Sequence, residues 1–117
     1  MSKKFLLLAA ALAAAPCAAL AGETATAANA PAAVAIRNFQ FVPATLTVAA
    51  GTTVIWTNDD TDVHSVTDRG RVFRSGALDS KETFSYTFTK PGEFTYFCTF
   101  HPMMVGTIIV KPAGSSS

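Results

Sequence analysis

Thr83-Phe84-Ser85-Tyr86-Thr87-Phe88 puts an aromatic ring at every second position, a period that fits a strand and no helix. The same alternation returns along the chain. Val34 and Ile36, Phe39 and Phe41, and Thr45-Leu46-Thr47-Val48 form short runs of this type. Thr53-Val54-Ile55-Trp56-Thr57-Asn58 is rich in β-branched and aromatic residues, and Asp59-Asp60 closes it. Val63 to Thr67 is a further short candidate, and Phe94 to Cys98 and Gly106 to Val110 complete the set. Ala50-Gly51 and Lys90-Pro91-Gly92-Glu93 supply turns. No segment past residue 21 shows a sustained helical period with caps. The pattern predicts an all-β, Greek-key β-sandwich of seven to eight strands with antiparallel pairing. Phe39, Phe41, Trp56, Phe84, Phe88, Phe94 and Phe97 are then expected in the core or packed on the sheets.

The first residues have a different texture. Ser2-Lys3-Lys4 is a basic head, Phe5 to Ala15 carries no charge, and Ala19-Leu20-Ala21 has small residues at the cleavage spacing. Residues 1–21 read as a secretory signal peptide, too short and Ala-rich for a membrane span. The reading gives a periplasmic location and no membrane insertion after cleavage. Residues 22–33 are small and polar and read as a flexible leader, 34–111 as the folded domain, and 112–117 as a flexible tail.

Removing 21 of the 117 residues leaves 96, enough for one domain with a modest core. Lys3 and Lys4 leave too, so seven basic residues face eight acidic ones. No basic field attracts nucleic acid. Cleavage also removes Cys17, leaving Cys98 alone and excluding an intramolecular disulfide. A free thiol in an oxidising compartment calls for another reason to exist, and metal ligation supplies one.

Cys98-x-x-His101-x-x-Met104 places three donors in one loop, and His64, the other histidine, stands far upstream. A thiolate, two imidazoles and a thioether form a soft-to-borderline donor set. Such a set selects copper and marks an electron-transfer site. Zinc is the rival metal, but structural zinc sites make no use of a thioether. Single readings are blander: a buried apolar cysteine, ordinary histidines, and an apolar surface formed by Met103, Met104 and Val105. They leave the joint placement unexplained.

His64 and the segment Cys98-Thr99-Phe100-His101-Pro102-Met103-Met104 resemble the cupredoxin family, closest to its amicyanin and plastocyanin group. Thr-Val-Ile-Trp-Thr-Asn before His64, Pro-Gly-Glu-Phe-Thr-Tyr-Phe-Cys leading to Cys98, and the Gly-Thr-Ile-Ile-Val run at Gly106 extend the resemblance over the whole domain. It implies one type 1 copper ion, with His64, Cys98 and His101 as equatorial ligands and Met104 as the axial one, Met103 being the reserve. Two positions depart from the family pattern. Ser65 stands where Asn usually braces the two ligand loops, and its hydroxyl is expected to reach Thr99 instead. Phe100 stands where Pro is common.

The chain is therefore expected to be a small exported blue copper protein and not an enzyme, carrying single electrons between redox partner proteins. Contact would be transient and near His101, through Pro102, Met103, Val105 and Phe100, with the chain a monomer. Copper delivery or storage, or service as an accessory copper subunit of an oxidoreductase, are the alternatives. Arg69, Arg71 and Arg74 read either as an ordinary solvated loop or as a cluster that steers an acidic partner.

Overall fold

The computed structural model describes residues 29–114. The signal-peptide reading of residues 1–21, Cys17, most of the leader and the last three residues lie outside them. Eight strands form: β1 (Ala32–Arg37), β2 (Gln40–Val42), β3 (Thr45–Ala49), β4 (Thr52–Asn58), β5 (Thr67–Asp68), β6 (Thr83–Phe88), β7 (Gly92–Phe97) and β8 (Val105–Lys111). They make two four-stranded sheets, ordered β2-β1-β4-β6 and β3-β8-β7-β5. Among the described residues no helix is long and apolar enough to cross a membrane.

The expected pairing needs one correction. β1 lies parallel to β4, and β3 lies parallel to β8. Successive strands cross from one sheet to the other here, so strands distant in sequence become neighbours running the same way. The remaining pairs are antiparallel.

β4 shows how the alternation builds the core. Thr52, Val54, Trp56 and Asn58 point inward and are buried, while Thr53, Ile55 and Thr57 lie half-buried on the outer face. The inner faces of the two sheets meet at Trp56, which is fully buried. Its ring packs against Phe84 and Tyr96, each with centroids 5.5 Å away, and against Phe73 at 5.7 Å. Phe41 meets Tyr96 edge-on. Phe73 and Leu78 belong to this core although neither lies in a strand. Val63 to Thr67 is not a continuous strand: His64 makes an isolated bridge to Leu78, and β5 begins at Thr67.

One of the seven aromatics expected in the core or on the sheets, Phe39, lies elsewhere, and Phe97 sits on the sheet outside the core. Phe39 is 45% exposed, because Asn38 and Phe39 turn the chain at positive φ (53° and 58°) and break the alternation before Phe41. Phe97 is half-buried, and the Arg69 guanidinium lies 5.1 Å above its ring.

Gly106 makes room for the Tyr96 ring, and a Cβ there would overlap the phenol. Gly106→Ala is therefore expected to destabilise the protein by about 1–3 kcal/mol, the usual result of overpacking a core. Urea unfolding of the metal-free protein checks this.

Candidate metal centre

Asn58, the buried last residue of β4, organises the loop that carries His64. Its Nδ2 donates to the carbonyls of Asp62 (2.8 Å) and Leu78 (2.9 Å), and its Oδ1 accepts from the Asp60 amide (3.0 Å). His64 then pairs with Leu78 through both backbone groups, at 3.1 and 2.8 Å. These contacts fix a fully buried imidazole at one end of the sandwich.

The Asp60 carboxylate sets the ring's orientation. Its Oδ2 lies 2.9 Å from His64 Nε2 and so accepts the Nε2 proton. The Nδ1 lone pair is thereby left facing Cys98 Sγ, 3.7 Å away. The same carboxylate accepts the amides of Asn38 (2.7 Å) and Phe39 (2.9 Å), tying the β1–β2 turn to the His64 loop. Burial pushes the Asp60 carboxyl up, but the Phe39 and Asn38 amides and the His64 ring outweigh it and hold the group below its ordinary value.

Asp60→Asn removes this charge-assisted acceptor. The variant is expected to lose about 1.5–3 kcal/mol of stability at neutral pH, the worth of a hydrogen bond to a charged group. The sign of the pH dependence follows from the lowered value. The carboxylate stabilises the fold above its unfolded-state value near 3.8, and this contribution is lost as pH falls through the lower folded-state value. Unfolding curves of the metal-free wild type and variant should therefore converge at acid pH.

The second loop is two consecutive turns. His101 N donates to the Cys98 carbonyl (3.2 Å), Met104 N to the His101 carbonyl (2.8 Å), and Cys98 N to the Met104 carbonyl (3.1 Å). The loop thus closes on itself between β7 and β8. Cys98 is fully buried, and His101 Nδ1 lies 3.7 Å from its sulfur. The donor atoms of His64, Cys98 and His101 all fall within 4.8 Å of one another. With each imidazole Nδ1 3.7 Å from the sulfur and all three donors within 4.8 Å of one another, one ion could reach all of them at ordinary metal–imidazole and metal–thiolate lengths. The residues present therefore fit a single ion. Met104 is buried at 5% exposure beside this cluster in sequence, whereas Met103 is 93% exposed.

Ser65 makes the expected brace. Its Oγ accepts the Thr99 amide at 2.8 Å and bonds Thr99 Oγ1 at 2.8 Å, and its own amide donates to Cys98 Sγ at 3.3 Å. Two contributors escape a sequence reading. Asp60 sits in an acidic run that does not distinguish one carboxylate from another. Phe39 packs edge-on against both His64 (5.0 Å) and His101 (4.8 Å), and only its positive φ, invisible in the sequence, places it there.

A β-sandwich that gathers one thiolate and two imidazoles at one end is a mononuclear metal protein, and this donor set fits one type 1 copper ion. The chain belongs to the cupredoxin-like domain family, which matches residues 4–110. Its relatives in that family include amicyanins. It is 32% identical over 83 residues to an amicyanin of Paracoccus versutus, a match covering 67% of this chain and 63% of that one. It is 36% identical over 88 residues to amicyanin-alpha of Methylorubrum extorquens, covering 67% and 70%. Among solved structures, an oxidized amicyanin variant superposes with a TM-score of 0.65 at 28% identity, covering 68% of this chain and 81% of that one. A purple cupredoxin from Nitrosopumilus maritimus superposes with a TM-score of 0.65 at 31% identity, covering 68% and 99%. The matched region thus spans less than two thirds of the Paracoccus versutus relative's length.

Proposed function

We propose that the chain is a small exported blue copper protein that carries single electrons between periplasmic redox partners and is not itself an enzyme. His64, Cys98, His101 and Met104 would hold the copper ion. The observation that carries this reading is the pair of imidazole Nδ1 atoms, each 3.7 Å from the buried Cys98 sulfur. When bound, copper supplies one-electron cycling between Cu(II) and Cu(I). The protein's part is to keep the donors in place: Asp60 holds His64, and Ser65 ties its own loop to the Cys98 loop. Such preorganisation lowers the reorganisation that electron transfer requires. Burial of His64 and Cys98 favours a carrier over an exchangeable delivery site. Copper-loaded visible spectroscopy with voltammetry tests the reading. An intense thiolate-to-copper band with reversible one-electron cycling supports it, and colourless, readily exchanged Cu(I) sinks it.

The partner contact falls at His101, which is half-buried. Among the described residues, four of the six exposed large apolar side chains, Phe39, Phe100, Met103 and Val105, belong to this end of the sandwich or touch its imidazoles. Redox encounters use small interfaces of this sort. Met103→Glu is expected to slow electron exchange with the natural partner by about tenfold or more, since one buried, unpaired charge at an interface costs about 1–3 kcal/mol or more. Stopped-flow kinetics checks it, and an unchanged rate removes the patch from the mechanism.

A further inference from the structure

Residues 69–74 hold three of the seven arginines and lysines that follow residue 21. Arg37 and Lys81 both face Asp59, but among the described residues Arg69, Arg71 and Arg74 form no ion pair. The three arginines, with Asp68, Phe97 and Thr99, line an open cleft of about 420 Å³. Asp68 offsets one charge and leaves two in excess.

The cleft is built rather than incidental. Arg69 N donates to the Thr95 carbonyl (2.9 Å), Arg71 N to the Asp68 carbonyl (3.0 Å) and Val72 N to Asp68 Oδ2 (3.0 Å). Arg74 bridges to Thr67, and Arg71 is held at φ 65°. The Phe97 ring under Arg69 fixes that guanidinium, and among the described residues its N–H edge makes no ion pair. On its other side the cleft is walled by Thr99, the residue after Cys98, which Ser65 clamps.

We propose that this cleft docks an acidic surface segment of a redox partner protein, its carboxylates paired with the Arg71 and Arg74 forks. The proposal rests on the electron-carrier reading for the nature of the partner. The cleft is many times the roughly 30 Å³ share of one water, so it suits a segment better than a single small anion. The Asp68 carboxylate in its wall repels a compact, multiply charged ion, whereas carboxylates spaced along a chain meet the arginines at the rim. A basic patch on a chain of otherwise balanced charge also gives directional, salt-sensitive steering.

The test is a titration of the full Cu(I)-loaded protein with hexaglutamate at low salt, followed by amide chemical shifts. The expected result is shifts centred on residues 67–74, Phe97 and Thr99. Binding should weaken about tenfold in Arg71→Asn/Arg74→Gln, from two lost exposed pairs. Asn tolerates the positive φ at position 71. Lys90→Gln/Lys111→Gln removes the same charge elsewhere and should change binding less than about twofold. Equal weakening by the two pairs, shifts spread over the surface, or tighter binding of inorganic phosphate overturns the proposal. Voltammetry on the same samples separates the two readings. Reversible cycling without cleft binding sinks the docking site alone, and cleft binding without reversible cycling sinks the carrier reading and the partner's redox nature with it.

Discussion

Cys98→Ser is expected to abolish the intense visible band of the copper-loaded protein and to leave the metal-free fold nearly intact. The serine oxygen is smaller than the sulfur but can still accept the Ser65 amide, now 3.3 Å from Sγ. Cys98 is fully buried, so the substitution exchanges one small group for another without exposing a surface. The loop turns at 98–101 and 101–104 are made by backbone groups and remain. What disappears is the soft anionic donor. A serine hydroxyl stays protonated at neutral pH and is a poor partner for Cu(I). Loss of outer-shell partners typically costs 10- to 100-fold in affinity, so loss of the thiolate should exceed about 100-fold. Competition with a Cu(I) chelator and unfolding of the metal-free protein measure the two halves separately. Retained blue colour in the serine variant would overturn the assignment of Cys98. A companion pair locates the axial donor: Met104→Leu should alter the spectrum and Met103→Leu should not, in keeping with 5% and 93% exposure.

The parts legible in the sequence are those written locally. The spacing Cys98-x-x-His101-x-x-Met104 forces its donors into one loop, and period-two runs such as 83–88 can only be strands. The brace from Ser65 to Thr99 was also within reach, because both residues adjoin ligands. Phe39 was not. Its alternation with Phe41 imitates a strand, and only the positive φ at Asn38 and Phe39 turns the ring toward His64 and His101. Asp60 was hidden for a different reason. Asp59, Asp60 and Asp62 are chemically alike, and the choice among them is made by Asn58 and by two amides from a turn more than twenty residues away. The parallel pairs β1–β4 and β3–β8 likewise depend on chain crossings that local patterns do not encode. Arg69, Arg71 and Arg74 are visible as a cluster, but nothing local in the sequence places the Phe97 ring under Arg69.

Trp56→Ala should be the most damaging single change to the fold. Trp56 is fully buried where the two sheets meet, and Phe73, Phe84, Phe88 and Tyr96 all pack on its ring. Its neighbours come from β6, β7 and a loop braced by backbone bonds, so they cannot collapse freely into the space left. Removing such a side chain typically destabilises by about 3–5 kcal/mol. For a domain of this size that corresponds to a fall in Tm of more than about 12 °C. Trp56→Phe should cost much less, for a specific reason. Among the described residues Trp56 Nε1 and Tyr96 OH are buried without a well-formed hydrogen bond, and burial pushes the Tyr96 phenol up to about 12 against a smaller lowering by the neighbouring Trp56 N–H, so it stays neutral. Phenylalanine keeps most of the ring contacts and removes one unsatisfied donor, which returns about 1–3 kcal/mol against the lost packing. The two variants should therefore differ by well over about 1 kcal/mol in urea unfolding of the metal-free protein, where bound copper cannot mask the difference. Equal destabilisation would mean that Nε1 donates to the neighbouring Tyr96 hydroxyl.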